Sequence, residues 1–410
     1  MLGSLTLLSI PLLASAAAIQ GRHDDHDHAH NVARLLPGQW YHDNDHPSHA
    51  LFKRATAGAT DGVTYPTVGT PEWAGAYPDG PPDAKSMPAE WLAALNDAVA
   101  RKAIPSIPIA TNTGDDLPTY GGLDHHQIGR NFVRDLPPPL CSASFGCRIP
   151  TDIWDAPDGH IAISFDDGPL PPTADLVAFL DAQNPPQLVT HFMIGINIIQ
   201  ESAEFTRAFE RGDDMAVHTW SHRLMTTLSN EEVVAELGWT MEAIHNSTGG
   251  RVPKFWRPPQ GNTDRRVSAI AKEVFGMHTV IWNQDTRDWS MELTPAGTTM
   301  EKIASDMNEW IKGPKSPGLV ILEHELSSDT VQAFKSAFPL MGQNGWITGS
   351  LAAVVGNDTA YLNAATSKSE VVGVQNIAEA KNLNNVPAGG DAASASVPAS
   401  TAGGNAVSTK

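Results

Sequence analysis

The sequence has few positive charges, almost no cysteine and no long hydrophobic run beyond its first residues. Its 410 residues include 27 Lys and Arg against 46 Asp and Glu, which gives a net charge of −19. This balance argues against nucleic acid or an anionic membrane surface as a partner, because both attract basic proteins. After residue 18, no apolar stretch reaches the roughly 18 residues of a transmembrane helix, so none is expected. We therefore expect a soluble, monomeric protein whose substrate is neutral or becomes cationic.

The start of the chain is typical of a secreted protein. Residues 1–18 are predicted to be a signal peptide, because they are apolar and small and end in an A-x-A type cleavage site, although no Lys or Arg precedes them. Residues 19–54 are rich in His and Asp and end in the dibasic pair Lys53-Arg54, so they are a candidate pro-segment. The alternative is a solvated segment without a fold. We expect a secreted, extracellular or cell-wall protein without a lipid anchor, since residues 356–410 carry no hydrophobic tail.

The two cysteines fit the same compartment. In an oxidising environment, Cys141 and Cys147 are expected to form one small-loop disulfide, with two free thiols as the alternative. Asn246 and Asn357 each begin an Asn-x-Thr sequon and are candidate glycan acceptors. Such short motifs also occur by chance, so they support secretion without establishing it.

The chain divides into an irregular first part and a regular second part. Residues 55–154 are rich in Pro and Gly, with one convincing helix near residues 89–102, and are predicted to be an irregular extension packed against the main domain. Residues 155–355 alternate apolar strands with amphipathic helices, which predicts an α/β fold, a distorted barrel of about seven parallel strands. Residues 356–410 form an Ala/Ser/Gly-rich tail, disordered over 386–410. The predicted strands are 160–165, 188–194, 215–218, 254–257, 278–283, 319–324 and 346–354.

Polar motifs follow the ends of these strands, where the active sites of such barrels form. The first motif places two adjacent carboxylates, Asp166 and Asp167, at the end of a strand. Like charges so close oppose each other's ionisation unless a cation lies nearby. One aspartate could therefore hold a metal while the other handles a proton. The alternative is that Asp-Asp-Gly-Pro is only a turn.

Two histidines form the second motif. His218 and His222 are four residues apart, which we interpret as one helical turn that presents both imidazoles on one face. Two such histidines with one carboxylate make a three-ligand zinc site that keeps positions open for water. The alternative is two unrelated histidines, one in the core and one on the surface.

Three further motifs close later strands. Residues 257–261 begin with an Arg suited to pairing with a carboxylate. Residues 285–289 contain two Asp and a Trp, and residues 322–325 contain a His that could act as a general acid if a carboxylate raises its pKa. Taken singly, an ordinary turn, a charged loop and a structural His are the simpler interpretations. Five motifs in this order at consecutive strand ends are much harder to explain in that way.

Together, the five motifs resemble those of the polysaccharide deacetylases of carbohydrate esterase family 4, the NodB-homology group, and most of all those of the fungal chitin deacetylases. The resemblance covers residues 155–350 and includes Ser-Phe-Asp-Asp-Gly-Pro and His-Thr-Trp-Ser-His. It implies a NodB-like domain over residues 155–355. It also implies a secreted, metal-dependent enzyme that hydrolyses the N-acetyl groups of chitin to give chitosan and acetate.

The resemblance implies a role for each residue of the first three motifs. Asp166 would be the general base, oriented by Arg257. Asp167, His218 and His222 would hold a divalent metal, Zn²⁺ or Co²⁺, since the same ligands accept either.

The resemblance also implies roles for the later motifs. His324 would be the general acid, paired with Asp285, while Trp289 and Leu322 would line the acetyl pocket. Gln260 stands where the family usually has Tyr, and its backbone N–H would contribute to the oxyanion hole.

One departure and three alternatives remain open. Glu325 replaces the Asp that usually follows the catalytic His, which puts the surroundings of the acid in doubt. The substrate could instead be acetylxylan, peptidoglycan or another acetylated polysaccharide. The protein could be a catalytically idle wall-binding protein, or a glycosidase with paired carboxylates, although the latter leaves the His pair without a purpose. Acetate release from chitin oligomers, with and without a chelator, separates these possibilities.

Overall fold

The computed structural model describes residues 60–112, 117–121, 140–356 and 359–383. The predicted signal peptide, the predicted pro-segment, Asn357 and the predicted disordered residues 386–410 lie outside the described residues.

The centre of the molecule is built from short parallel strands. In the described residues these are β1 His160–Ala162, β2 Ser164–Asp166, β3 Thr190–Met193, β4 Asp214–Val217, β5 Phe255–Trp256, β6 His278–Thr279, β7 Gln284–Asp285, β8 Leu319–Leu322 and β9 Ile347–Gly349. They form two sheets, with strand orders β7-β8-β1-β9 and β2-β3-β4-β5-β6. Every strand pair within these sheets is parallel, so the predicted α/β class is confirmed.

Two segments of the chain each contribute a strand to both sheets. Residues 160–166 contribute β1 to one sheet and β2 to the other, and residues 278–285 contribute β6 and β7 in the same way. The Asp166 N–H donates to the Glu323 carbonyl at 3.0 Å, which brings the end of β2 beside the end of β8. The strands therefore form two linked sheets, so continuous strand pairing does not close the predicted barrel. Because the pairs are parallel, the carboxyl ends of neighbouring strands lie at one rim.

Helices follow most strands and return the chain to the opposite end of the sheets. Those described are α1 Pro71–Ala74, α2 Ala89–Ala100, α3 Thr173–Asp181, α4 Gly195–Gln200, α5 Ser202–Arg211, α6 Asn230–Ser247, α7 Arg265–Phe275, α8 Met300–Lys312, α9 Ser328–Gln343 and α10 Leu351–Val355. The longest, α6, begins with a capping box in which the Ser229 side chain accepts the Glu232 N–H and the Glu232 carboxylate accepts the Ser229 N–H. This reciprocal pair satisfies two backbone donors that a helix start otherwise leaves free.

The extension shares its hydrophobic core with the strand-and-helix unit. Trp91 of α2 is 1% exposed and packs edge-on against Phe275 of α7, with ring centroids 5.8 Å apart. Gly238, in the middle of α6, permits this approach, since a Cβ there would lie 2.5 Å from the Trp91 ring. Burying a side chain of this size contributes about 1.5–3 kcal/mol. The predicted helix near residues 89–102 is therefore part of the main core.

Residues 359–383 also belong to the folded unit, although we predicted that the tail begins at residue 356. Tyr361 is fully buried, and the Leu362 N–H donates to the Val252 carbonyl at 2.8 Å. Asn363 donates to the Gly250 carbonyl at 2.7 Å. The Ala-rich composition did not reveal this packing, because Ala is common both in tails and among buried residues.

Among the helices described, none is long and apolar enough to cross a membrane.

Candidate functional site

The two aspartates of the first motif lie at the carboxyl end of β2. Asp166 is the last residue of β2, and Asp167 adopts a left-handed backbone with a φ of 71°. Arg257, which follows β5, donates from Nη1 to Asp166 Oδ1 at 2.6 Å and from Nη2 to Ser164 Oγ at 3.0 Å. The structure thus brings together the Asp and Arg that the sequence predicted as a pair.

Arg257 is completely buried, so its charge is confined to this contact. Burial lowers the pKa of the Arg257 guanidinium, and the charge of Asp166 offsets part of that effect. The guanidinium also lies 4.1 Å from the centre of the Phe192 ring. A buried ion pair of this kind fixes orientation. It holds Asp166 Oδ1 and leaves Oδ2 3.8 Å from His218 Nε2.

The described residues contain one group of side chains able to hold a metal ion: Asp167, His218 and His222, with ligand atoms within 4.8 Å of one another. The two Nε2 atoms lie 3.2 Å and 3.1 Å from Asp167 Oδ1, respectively. Asp167 Oδ1 is buried and has no hydrogen-bond partner. A buried carboxylate oxygen without a donor is costly, and a cation bound by all three residues would remove that cost.

The hydrogen bond on the far side of His218 supports the same conclusion. His218 Nδ1 lies 2.8 Å from the Arg257 carbonyl, which can only accept, so Nδ1 carries the ring proton. In the neutral ring, Nε2 then presents a lone pair to Asp167. This arrangement is repulsive unless a cation lies between them, and metal-bound histidines are commonly oriented by such a carbonyl. Two histidines and a carboxylate suit a divalent transition-metal ion.

The His pair does not lie on a helix, contrary to our prediction. Residues 218–222 form a loop after β4, in which Thr219 has a φ of 66° and His222 a φ of 59°. The loop, rather than a helical turn, brings both imidazoles to Asp167. The i, i+4 spacing pointed to two residues that the structure brings together, but the local structure predicted for them was wrong.

A buried carboxylate of α6 holds this loop. Glu236 accepts the N–H groups of Trp220 and Ser221 at 3.0 Å and 2.8 Å, and the Ser221 hydroxyl at 2.6 Å. Glu236 lies outside the five motifs, so sequence reasoning did not find it. Only its position in the first turns of the helix after the His motif hints at the role.

Left-handed backbone is concentrated in the motif loops. In the described residues, the non-glycine residues with positive φ are Lys102, Asp167, Thr219, His222, Gln260 and Arg287. All but Lys102 belong to the predicted motifs. Each such residue costs of order 1 kcal/mol or more and persists only where the surroundings enforce it. The loops are therefore held in shapes that isolated turns would not adopt.

His324 follows β8 and pairs with Asp288, not with Asp285 as predicted. His324 Nδ1 lies 2.6 Å from Asp288 Oδ1, and the His324 N–H donates to Asp288 Oδ2 at 2.9 Å. Asp285 instead accepts the Arg287 N–H at 2.8 Å. The left-handed turn at Arg287 reverses the chain, so the second Asp of the motif faces the imidazole. Both acids lie in one predicted motif, and their spacing alone could not distinguish them.

Asp288 sets the charge of His324. Burial lowers the pKa of the imidazole, but the charge and the hydrogen bond of Asp288 outweigh it and raise the pKa of His324 to about 10. The ring is therefore a cation at neutral pH and can donate a proton from Nε2. Asp285 also remains close, and burial raises its own pKa.

The motif residues surround one pocket of about 170 Å³. It is lined by Asp166, Asp167, His222, Gln260, Trp282, Asp285, Trp289, Leu322 and His324. Sequence analysis predicted all of these residues except Trp282, which lies in the predicted strand 278–283 without a motif to mark it. The pocket is small, mostly apolar along the Trp and Leu walls, and polar at its base. It suits a small acyl group presented to an acid, a base and a cation.

The chain matches known proteins over most of its length. A family model described as polysaccharide deacetylase matches residues 155–280. Chitin deacetylase 3 of Cryptococcus neoformans var. neoformans is 35% identical over 382 residues, which cover 92% of this chain and 83% of that protein. The chain belongs to the polysaccharide deacetylase family. The family predicted from the motifs is thus confirmed.

Two other similar proteins match a smaller share of this chain. Chitin deacetylase 1 of Saccharomyces cerevisiae is 39% identical over 202 residues, 49% of this chain and 64% of that protein. The solved chitin deacetylase of Colletotrichum lindemuthianum is 21% identical, and the match covers 52% of this chain and 96% of that chain with a TM-score of 0.46.

Glu325, the departure from the family pattern, does not face the pocket. Its Oε1 lies 2.8 Å from His191 Nδ1, and its Oε2 accepts the Thr173 hydroxyl at 2.7 Å. The other ring nitrogen of His191 lies 3.2 Å from Asp213 Oδ2. Glu325 also packs against Gly168, where a Cβ would lie 2.0 Å from Oε1. Glu325 therefore supports the back of the turn that carries Asp166 and Asp167.

The two remaining site predictions lie away from the pocket. Cys141 and Cys147 form the predicted disulfide. Asn246 lies near the end of α6, where its amide donates to Glu242 at 3.2 Å. Glycosylation at Asn246 and Asn357 stays a prediction.

Proposed function

We propose that this protein is a secreted, metal-dependent chitin deacetylase that hydrolyses N-acetyl groups of N-acetylglucosamine residues to give chitosan and acetate. The observation that carries the proposal is the convergence of Asp166, the metal-ligand group and His324 on one pocket of about 170 Å³. The names of the similar Cryptococcus and Saccharomyces proteins support chitin as the substrate.

Asp167, His218 and His222 would hold the divalent cation, Zn²⁺ or Co²⁺. When bound, such a cation acts as a Lewis acid, which polarises a carbonyl and makes water more acidic. The protein contributes the rest of the chemistry through its own side chains.

Asp166 is the general base. Its Oδ1 is held by Arg257, so Oδ2 is the oxygen that accepts a proton from water as water attacks the acetamide carbonyl. The pairing with a fully buried guanidinium keeps the carboxylate from rotating away from the attacking water.

The acetyl group is held on the opposite side of the pocket. Trp289 and Leu322 provide apolar contact for its methyl group, and the backbone N–H of Gln260 stabilises the negative charge that develops on its oxygen. Because this last role belongs to the backbone, the exchange of the usual Tyr for Gln leaves it in place.

His324 is the general acid. The carbon–nitrogen bond breaks only if the amine takes up a proton, because an amide nitrogen cannot leave as an anion. His324 donates that proton, and Asp288 stabilises the imidazolium beforehand. One water is consumed, acetate is released and the sugar keeps a free amine.

The proposed domain organisation follows the sequence analysis: a signal peptide over residues 1–18, a pro-segment over 19–54 and a catalytic unit that includes the extension. We propose that the protein acts outside the cell as a monomer.

Acetate release from chitin pentamer tests the function. We expect release by the metal-loaded protein, loss after treatment with a chelator, and recovery on addition of Zn²⁺ or Co²⁺. Acetylxylan assayed in parallel should release much less acetate. Release that a chelator does not affect, or a clear preference for acetylxylan, would contradict the proposal.

A further inference from the structure

The disulfide closes a small loop next to the catalytic rim. We call residues 141–147 the disulfide loop; it contains a 3₁₀ turn over Ala143–Phe145 and lies outside residues 155–280, which match the family model. Neither cysteine lines the pocket. The loop nevertheless contacts a segment that does.

The disulfide loop pairs with the backbone that follows the third motif. The Ala143 N–H donates to the Thr263 carbonyl at 3.0 Å, and the Arg265 N–H donates to the Cys141 carbonyl at 3.2 Å. Ser142 and Asp264 form an antiparallel bridge between these two bonds. The loop thus acts as a short strand alongside residues 263–265.

One side chain of the loop reaches the pocket turn itself. The Ser144 hydroxyl lies 3.4 Å from the Gly261 carbonyl, and it also accepts the side-chain amide of Asn262 at 3.3 Å. Gly261 and the preceding Gln260 are both left-handed, with φ of 64° and 55°. Two successive left-handed residues form a turn that the chain does not adopt readily without outside contacts.

Asn262, which donates to Ser144, also bonds to the segment that follows the metal ligands. Asn262 Oδ1 accepts the Thr226 N–H at 2.8 Å and the Thr226 hydroxyl at 2.9 Å. The Ala110 N–H of the extension donates to the Thr226 carbonyl at 2.9 Å. The extension is therefore bonded to both loops that flank the pocket, after the second motif and after the third.

A small hydrophobic cluster fixes the disulfide loop to the rest of the extension. It consists of Ile107, Ala110 and Tyr120, with Leu140 and Phe145 packed against them. The Tyr120 hydroxyl donates to Asp264 Oδ2 at 2.7 Å, and Asp264 caps α7. These contacts fix the extension against the start of α7 through both packing and a hydrogen bond.

We propose that the disulfide loop is a positioning element for the Gln260 turn, so that turnover depends on the Cys141–Cys147 bond. The proposal rests on the proposed function, in which the Gln260 N–H stabilises charge on the acetyl oxygen. Breaking the disulfide frees Ser144 and Ala143 from the turn, and the Gln260 N–H loses its fixed direction. Misplacing a stabilising donor by about 1 Å can cost as much as 10²-fold in rate.

The first test compares amide hydrogen exchange in the oxidised protein and in the protein reduced with a phosphine under native conditions. We expect exchange to accelerate at residues 260–265 on reduction and to stay unchanged at residues 214–217, which form β4. This readout needs neither substrate nor activity, so it stands even if the proposed function fails. Equal exchange at residues 260–265 in both forms would overturn the proposal.

The second test uses the double variant Cys141→Ser/Cys147→Ser and the variant Ser144→Ala, which keeps the disulfide. We expect kcat for acetate release from chitin pentamer to fall about 10-fold to 100-fold in the double variant and less in Ser144→Ala. KM and the zinc content should change little. The matched control is Arg148→Ala, next to the loop, whose ion pair with Asp155 does not reach the Gln260 turn.

The outcomes separate positioning from stability. An unchanged kcat with a lower melting temperature in the double variant would show that the disulfide only stabilises the fold. Loss of zinc together with kcat would assign the effect to the metal-ligand loop. Either result overturns the proposal. If the double variant does not fold, Ser144→Ala and reduction of the wild-type protein decide the question.

Discussion

Two clusters of carboxylate and imidazole groups lie close together in this protein, and they are satisfied in different ways. The pocket cluster, Asp167, His218 and His222, opens to the pocket, and Asp167 Oδ1 has no hydrogen-bond partner. The buried cluster consists of Glu325, His191 and Asp213, whose side chains are fully buried. Both contain the residue types of a metal site, but only the pocket cluster presents the geometry of one.

The ring proton explains the difference. Both nitrogens of His191 face carboxylate oxygens, so both must donate and the ring is an imidazolium. Burial lowers the pKa of His191, but the charges and hydrogen bonds of Glu325 and Asp213 outweigh it and raise that pKa to about 10. The buried cluster thus contains its own cation. In the pocket cluster, His218 Nδ1 donates to the Arg257 carbonyl, and a bound metal ion would supply the positive charge between His218 Nε2 and Asp167.

The largest effect is expected when a ligand is removed from the pocket cluster. His218→Ala should abolish tight zinc binding and lower acetate release on the order of 10⁴-fold or more, because the Lewis acid leaves with the ligand. Metal content by mass spectrometry and acetate release measure both effects. His278→Ala, an exposed imidazole at the start of β6, should keep the metal and the activity. A His218→Ala protein that keeps zinc would refute the ligand assignment.

Asp166→Asn separates the base from the metal ligands. The substitution removes the proton acceptor but keeps the shape, so acetate release should fall about 10²–10⁴-fold while zinc remains bound. Parallel measurement of zinc content and kcat tests this. Full activity with zinc bound would remove Asp166 from its assigned role.

His191→Phe perturbs the buried cluster instead. It leaves Glu325 and Asp213 without the cation between them, and the free energy of unfolding should fall by roughly 3–5 kcal/mol. Urea unfolding measures the loss, and zinc content should be preserved. Loss of zinc without loss of stability would reverse the distinction between the clusters.

The same substitution predicts a pH dependence. The pKa of His191 is about 10 in the folded protein, against an ordinary value of 6.5. A raised folded pKa gives stability that is fully present below the ordinary value and is lost as pH rises through the folded value. The stability difference between the wild type and His191→Phe should therefore shrink between pH 6.5 and pH 10. Unfolding curves across that range would show a constant difference if the ring were neutral.

Asp288→Asn should give the smallest effect, a shift rather than a loss. Removing the charge that raises the pKa of His324 lowers that pKa, so the imidazole loses its proton at a lower pH. The alkaline limb of the kcat profile should move to lower pH. Asp285→Asn is the matched variant, and it should move the limb less, since Asp288 is the residue bonded to His324. Equal shifts would contradict a special role for Asp288, and a larger shift in Asp285→Asn would restore the pairing predicted from the sequence.

The sequence predicted the location of most strands and the residues at their ends, because apolar runs and motifs are local features. The predicted strand 346–354 was too long, since α10 begins at Leu351. A run such as Leu319–Leu322 is apolar throughout, and a parallel sheet brings such strand ends to one rim. Motif order then gave the family. The pairing of Asp288 with His324 joins residues 36 positions apart through a left-handed turn, which no local pattern records.

The buried cluster was not predicted for the same reason. His191 lies in a strand and Asp213 before the next one, and neither follows a motif. Glu325 was noticed only as a departure from the family. Its structural role depends on His191, which lies 134 positions away in the sequence. Residues 359–383 were also missed, because what they cover is visible only once the helices are in place.

The first and last described segments meet beside the carboxyl end of α6. Asp61 N–H donates to the carbonyl of Gly249, just beyond α6, at 3.0 Å, and a Cβ on Gly373 would lie 3.6 Å from Asp61. α6 starts near the pocket, after the His motif, and runs back along the strands. The two segments therefore meet at the end of the molecule opposite the pocket. A protein immobilised on a bead through residue 60 or 373 would therefore display its pocket outward, free to reach an insoluble polymer.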